Sequence, residues 1–555
     1  MPDVLICRVS YRSRSGNVNE VEESGICHAY GALYHAGINT EVQDFYLNHE
    51  LTINNVLESD AKILLFYVRW PGEFWTENQK FIKEIRQQDT YENRIIAVFG
   101  ETAVGQEKAL KETPIDVVIT GEENEMVNYC NAILNNQDWN NCSGIVYLNE
   151  EQTPIFNQGI NLVHNLDDLP KAKHYWLEYC KENGKSLDFM KAAIRTSRGC
   201  YARCKFCYIT GYDNLYENYT WRSRSAENVF NEIKEIVEEF GVTEFIFSDA
   251  TFFNRSKKSK ERAIKISELI KNNDLDISFL IYTRANDVDI ETFNKMKEAG
   301  LYAILMGLES FVPAKMKRYS KGNTVEQNYK ALSIFKELNL YMNLGFILFD
   351  KDTTLLELKE DLKGLKWLVN DKPELITDPT TLVGSVFIPY EGSRIEDEYL
   401  NYQEDQYLLG AINERLGQLD SMKKYGFKDP IIAALADAGW LFGREVGSQQ
   451  YHKRKLQGEM ISRLLEDEED EEAMNIVEKL LLWREGLAKF AVYTFSDIVE
   501  EVSRAKDPIK ERFNAIDRAF KEFENYNKRY LGDYSADMRW IGEYQSLKEK
   551  ELASL

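Results

Sequence analysis

No stretch of the 555 residues approaches the roughly 20 consecutive apolar positions that a membrane-spanning helix needs, so no membrane partner is expected. Eight cysteines in so long a chain do not make a disulfide scaffold. The short apolar run near the start, VLICRVS, lacks the length and following pattern of a secretory leader, and a reducing, cytoplasmic setting is the reading. Positive charge is in deficit. With 68 Lys and Arg against 91 Asp and Glu, the net charge of -23 argues against phosphate-backbone binding by the whole surface, and nucleic acid is not an expected partner. The G-x-G-x-x-G dinucleotide fingerprint is missing too: the loop after the first predicted strand has a single glycine, Gly16.

What is present is the composition of an ordinary folded protein, 44% hydrophobic and 29% charged, in a chain long enough for roughly two to four domains. Residues 1 to 140 alternate branched apolar runs (4–10, 40–46, 62–68, 94–100 and 116–120) with helical patterns such as 21–35 and 76–87. Alternation of this kind predicts a Rossmann-like α/β unit, a parallel sheet whose ligand crevice lies at the carboxyl ends of its strands. Arg69 and Trp70 follow the third strand. Gly121 and Glu122 follow the fifth, opening a Gly-Glu-x-x-Glu turn. A salt bridge and a packed indole account for the first pair as well as a ligand does. Acidic first-turn residues complementing a helix dipole account for the second.

Residues 141–190 read as a linker with a hairpin at 144–157. From 191 to 395 the alternation resumes, with candidate strands at 192–197, 244–249, 278–283, 303–309, 343–349 and 382–388 and helices between them. Six β/α repeats predict a partial or full parallel barrel, with reactive groups at the carboxyl ends of its strands. Residues 396–555 show helical patterns at 405–416, 429–442, 472–490, 496–504 and 510–526 without strands, and predict a helical C-terminal domain. The acidic run 466–472 reads as a solvated loop or helix start.

The stretch that organises these units is RTSRGCYARCKFCY, residues 195–208, at the end of the first strand of the second unit. Cys200, Cys204 and Cys207 are spaced C-x3-C-x2-C. Three thiolates can hold three irons of a 4Fe-4S cluster, leaving one iron open to a small chelating molecule. A partial zinc site is the alternative, although structural zinc normally takes two pairs of ligands and no second pair follows.

With Phe206 before the last cysteine, Ser248-Asp249 at the second strand end, Gly307-Leu308-Glu309-Ser310 at the fourth and Gly345 in the fifth, this unit resembles the radical S-adenosylmethionine (SAM) superfamily. The preceding α/β unit, the Leu-Asp-Asp-Leu-Pro turn, Trp221-Arg222, Arg224-Ser225, Lys321-Gly322 and Pro389 are similar to the branch with an N-terminal cobalamin-binding domain. The resemblance implies a cluster on Cys200, Cys204 and Cys207, SAM on the open iron, and cobalamin near Arg69, Trp70, Gly121 and Glu122. It also implies Phe206 against the adenine, Ser248, Asp249, Glu309 and Ser310 near the SAM amino group or ribose, and Arg284 near a carboxylate. A one-electron reductant such as flavodoxin or ferredoxin and a small-molecule or peptide substrate would complete the system. The chain departs from the pattern in two places: the Asp-x-His-x-x-Gly cobalt-ligand motif is missing, and Phe349-Asp350-Lys351-Asp352 replaces a Gly-x-Pro turn.

The reaction expected is cobalamin-dependent methyl transfer; rearrangement, cyclisation or epimerisation is the alternative without cobalamin. The absence of cysteine after Cys207 weighs against a thiol-quenched epimerase. An iron-sulfur redox or electron-transfer protein is the alternative from another class, and would more usually supply four protein ligands.

Overall fold

A computed structural model describes residues 2–9, 21–68, 73–91, 93–100, 106–157, 162–187, 190–214, 220–390, 393–400, 407, 409, 426–532 and 541–554. Arg69, Trp70, Gly16, Gly392 and most of the predicted helix 405–416 lie outside the described residues.

The first unit contains the strands β1 (Val4–Arg8), β2 (Thr40–Asp44), β3 (Ile63–Val68), β4 (Ile95–Gly100) and β5 (Val117–Ile119). They pair in parallel in the order β2-β1-β3-β4-β5, with Ile6 opposite both Val42 and Leu65. Strands buried on both faces read as continuous apolar runs, and β3 (ILLFYV) is buried throughout. Alternate residues serve opposite layers: Leu64, Phe66 and Val68 pack with Phe81, Ile82 and Ile85, while Ile63, Leu65 and Tyr67 join the larger core with helices Ser24–His35 and Glu123–Leu134.

The expected linker is partly sheet. Strands β6 (Ile145–Leu148) and β7 (Pro154–Asn157) form the predicted hairpin, and β6 pairs antiparallel to β5, with Val118 opposite Val146. The hairpin therefore extends the first sheet to seven strands beyond residue 140. Hydrogen bonding to an otherwise open edge of β5 gives the reason.

The second unit places β8 (Lys191–Ile194), β11 (Glu244–Phe247), β12 (Ser278–Thr283), β13 (Leu301–Glu309) and β14 (Tyr341–Phe346) in one parallel sheet of order β14-β13-β12-β11-β8. A separate antiparallel pair, β9 (Ser197–Arg198) and β10 (Arg222–Ser223), closes the base of the cysteine loop. Crossover helices carry the expected stops. Ser225 caps Ala226–Phe240 by accepting from the Asn228 N–H, and Gly241 ends that helix at φ +70°.

The sixth predicted strand is corrected. Residues Thr380–Val383 form a helical turn, and only Val386 bridges to Phe349. The β14 edge is met earlier in the chain: Ile376 bridges to Met342, the Thr377 N–H and Oγ1 both donate to the Met342 carbonyl (2.9 and 3.1 Å), and Thr381 Oγ1 donates to that of Leu344 (3.0 Å), while Pro379 has no N–H to donate. The C-terminal helices are Pro430–Glu466, Glu471–Arg504, Pro508–Leu531 and Ile541–Ser554, so the separate predictions 472–490 and 496–504 are one helix. They pack around buried Trp483, Phe442 and Phe523, with an Arg512–Asp437 ion pair of 2.9 Å inside. Among the described residues no helix is long and apolar enough to cross a membrane.

Candidate active site at the cysteine loop

The loop leaves β9 through Gly199, whose φ of +79° suits glycine rather than a residue with a Cβ, and reaches Cys200 at once. Cys200 Sγ accepts the Ala202 N–H at 3.4 Å, and the Cys207 N–H bonds the Cys204 carbonyl at 3.2 Å. The three thiols form no disulfide. Burial pushes the Cys207 thiol up to about 12, with Cys204 and Cys200 adding to the effect. Cys200 moves in the same direction, from burial, against the pull of the Ala202 N–H and Arg284. Burial thus disfavours the thiolate at Cys200 and Cys207 unless positive charge is supplied.

The surroundings of Cys204 are cationic. Arg284, following β12, donates from Nη1 to Cys204 Sγ at 3.3 Å, and its Nη2 bonds the Lys321 carbonyl. Burial opposes its charge, but the neighbouring Cys204 and Tyr201 raise its pKa further. Lys321 Nζ pairs with Glu309 Oε1 at 2.6 Å and lies 5.8 Å from the Phe206 ring, which meets Tyr319 edge-on. Glu309 ends β13 at φ +65°, where the register with β14 shifts. A Cβ on Gly307 would strike Glu309 Oε1 and Lys321 Nζ, so the pair lies directly over this glycine. Cys204, Arg284, Phe206, Glu309 and Lys321 are thus brought together.

Other predicted residues are engaged elsewhere. Asp249 accepts from the Thr196 N–H (2.7 Å), the Ser197 N–H (2.6 Å) and Thr196 Oγ1 (2.6 Å), shaping the chain before the cysteine loop. Its pKa is raised by burial, partly offset by Thr196 and Arg262. Ser248 Oγ donates to Ser24 Oγ at 2.7 Å, on the first unit. Ser310 Oγ donates to Asp361 at 2.7 Å, and Asp361 also forms a fully buried ion pair of 2.8 Å with Lys315.

Gly121 and Glu122 stand at the seam of the two units. Glu122 receives Arg222 through Nη1 (3.0 Å) and Nη2 (2.9 Å), and Glu123 receives Arg198 through both nitrogens at 2.7 Å. Arg198 also reaches Glu122 at 3.0 Å. A Cβ on Gly121 would come 2.5 Å from that of Glu125, which keeps this turn tight. The acidic turn is therefore tied to the base of the cysteine loop, and a cofactor would have to displace bidentate arginines to use these carboxylates.

Reasoning from sequence missed Tyr201. Its hydroxyl donates to Asp287 at 2.6 Å, and its ring lies 5.6 Å from Arg284 and 5.2 Å from Arg255. Its position beside Cys200 was the only available signal. Also missed was a cavity of about 320 Å³ between the 380–388 segment and helix Pro430–Glu466, bordered by Val386, Ile388, Trp440 and Arg444. The basic run at 451–455 lies on that helix, where Arg454 donates to the Thr377 carbonyl at 2.7 Å.

Residues 194–363 match the Radical SAM superfamily. The chain carries a radical SAM domain. Over 329 residues it is 29% identical to an uncharacterized methyltransferase of Pyrococcus horikoshii, covering 59% of this chain and 64% of that protein. Over 265 residues it is 28% identical to the anaerobic magnesium-protoporphyrin IX monomethyl ester cyclase of Rubrivivax gelatinosus, covering 46% of each. The chain thus spans less than two thirds of the length of these relatives. The radical SAM domain and its flanking units also share the fold of the cobalamin-dependent SAM radical enzyme OxsB, solved with aqua-cobalamin and SAM. The TM-score is 0.76 at 17% identity, covering 100% of this chain and 84% of that one.

Proposed function

We propose that the protein is a radical SAM enzyme that binds a 4Fe-4S cluster through Cys200, Cys204 and Cys207 and SAM on the open iron, and that it is a cobalamin-dependent methyltransferase. The observation that carries the reading is the donor set: three cysteines without disulfide in one loop, with the Arg284 guanidinium 3.3 Å from the Cys204 sulfur, inside a radical SAM domain. When bound, these groups supply reductive cleavage of a carbon–sulfur bond, a carbon radical that takes hydrogen from substrate, and a carrier for a methyl group.

The chain's own residues have narrower tasks. Arg284 donates to Cys204 Sγ, where it would offset the charge of a cluster, and fixes the Lys321 backbone beside it. Glu309, held by Lys321, is the buried acid available to the SAM ammonium group, and Phe206 offers a ring to the adenine. Asp249 holds Thr196 and Ser197, and through them the start of the loop. The cavity beside Trp440 and Arg444 is the candidate substrate site. The corrinoid part of the reading is supported by fold likeness and by the parallel strand ends of the first unit. Substrate would be a small molecule or peptide, with a flavodoxin- or ferredoxin-like reductant.

The test is anaerobic reconstitution with iron and sulfide, then reduction in the presence of SAM. Formation of 5'-deoxyadenosine is expected; its absence from a cluster-loaded, reduced protein contradicts the radical SAM reading. Protein made with hydroxocobalamin is expected to keep corrinoid absorption through gel filtration. If it keeps none, a cobalamin-independent rearrangement or cyclisation, in line with the similarity to the cyclase, replaces methyl transfer.

A further inference from the structure

We infer that Glu22, Cys27 and His174 form a second metal site, for a divalent cation of zinc's chemistry, at the seam of the first unit, the following segment and the radical SAM domain. The inference is independent of the proposed function. Glu22 precedes helix Ser24–His35, Cys27 sits in its first turn, and His174 precedes helix Tyr175–Glu182. All three are buried, with exposures of 2%, 1% and 6%. One ligating atom from each lies within 4.8 Å of the others.

The imidazole is held from both sides. Its Nδ1 is in short contact with Glu22 Oε1, and the Cys27 thiol lies within hydrogen-bonding reach of the same side chain. Its Nε2 is 3.2 Å from Glu232 Oε1, on helix Ala226–Phe240 of the radical SAM domain. Glu22 Oε2 is already engaged by the Trp176 N–H at 3.3 Å, so Oε1 is the atom turned to the ring.

An Nε2–H donated to Glu232 leaves a lone pair on Nδ1 facing Glu22 Oε1; at the present short contact only a proton fits between them, and a tetrahedral ion would hold the two atoms about 3.3 Å apart. A proton would satisfy two partners. A thiol as a third donor is what distinguishes a metal: imidazole, thiolate and carboxylate are each zinc donors, and three of them leave the fourth tetrahedral position for water. A carboxylate on the far ring nitrogen is the usual orienting partner of a ligating histidine. Charge also closes. The ion and the Arg224 guanidinium, paired with Glu232, balance Glu22, Glu232 and a Cys27 thiolate. A cavity of about 300 Å³ bordered by His174, Arg224, Asn228 and Glu232 provides an approach. The ion would staple three segments that are distant in sequence.

The experiment uses full-length protein in two forms: the parent with its iron cluster reconstituted, and a Cys200→Ala/Cys204→Ala/Cys207→Ala variant without other loop thiols. Each is loaded with Zn2+, dialysed and assayed by elemental mass spectrometry. Both are expected to retain about one Zn2+ per chain. Retention should fall at least about tenfold in Cys27→Ser and His174→Gln, but not in Cys130→Ser, which alters another buried cysteine. Replacement by Co2+ should give a sulfur-to-cobalt charge-transfer band that Cys27→Ser removes. If Cys27→Ser loses its native circular dichroism, Glu22→Gln is read in the same assay. Failure of both parent forms to hold Zn2+, or undiminished retention in the folded variants, overturns the site and leaves a metal-free imidazolium between two carboxylates.

Discussion

The strand ends after β5 and around β8–β9 both lead into segments that read as ligand sites, yet the fold treats them oppositely. After β5, Glu122 and Glu123 are engaged by Arg222 and Arg198 in bidentate pairs. After β9, three cysteines are presented without disulfide, and the nearby arginine meets a sulfur instead of a carboxylate. Position at the carboxyl end of a parallel strand marks where ligands can bind. Whether the donors are already matched by opposite charge decides whether they do. Here the first motif clamps the base of the second, since Arg198 lies two residues before Cys200.

Removal of a cysteine should have the largest effect. Cys204→Ala is expected to abolish 5'-deoxyadenosine formation and to bring iron well below about four per chain after reconstitution, measured by colorimetric iron assay. Arg198→Ala should act on the other side of the contrast. It leaves Glu123 buried without its partner and should cost about 3–5 kcal/mol in denaturant unfolding, with the folded fraction still taking up iron.

The clamp also sets a pH window. Burial opposes the Glu123 carboxylate, but Arg198 outweighs it and lowers its pKa from 4.5 to about 2. A depressed carboxylate contributes stability above its unfolded pKa and loses it as pH falls through the folded value. Thermal stability is therefore expected to decline between pH 4.5 and about 2, and less steeply in Glu123→Gln.

A subtler change tests the arginine at the sulfur. Arg284→Gln should weaken cluster retention or SAM cleavage by about 10–100-fold, and lower the cluster's reduction potential because a positive charge is lost beside Cys204. The smallest effect belongs to Ser248→Ala, which removes the contact with Ser24 and a longer one (3.4 Å) to the Ile194 carbonyl, and should cost about 1 kcal/mol in unfolding.

The sequence made some of this contrast legible and hid the rest for physical reasons. Branched apolar runs such as ILLFYV and SFLIYT are strands because buried parallel sheets need them, and both appear where their pattern places them. The cysteine spacing is local and readable. The pairing of Glu122 with Arg222 joins residues 100 positions apart, so the turn after β5 looked as much like a ligand loop as like a clamp. The predicted strand 382–388 failed because the preceding segment meets the β14 edge first, through the Thr377 N–H and the Thr377 and Thr381 hydroxyls on the Met342 and Leu344 carbonyls. Ser310 lies in a motif that resembles a cofactor contact, but its hydroxyl serves the buried Lys315–Asp361 pair, which no local pattern announces.

On the proposed function, the cysteine loop holds a cluster with one iron open to SAM, while the acidic turn braces it. Electron paramagnetic resonance of the reduced, reconstituted protein, recorded with and without SAM, tests this most directly. A reduced 4Fe-4S signal whose g values shift when SAM is added, in the parent and in Glu122→Gln alike, is the predicted result. A signal indifferent to SAM, or one that responds in the parent but not in folded Glu122→Gln, would contradict it.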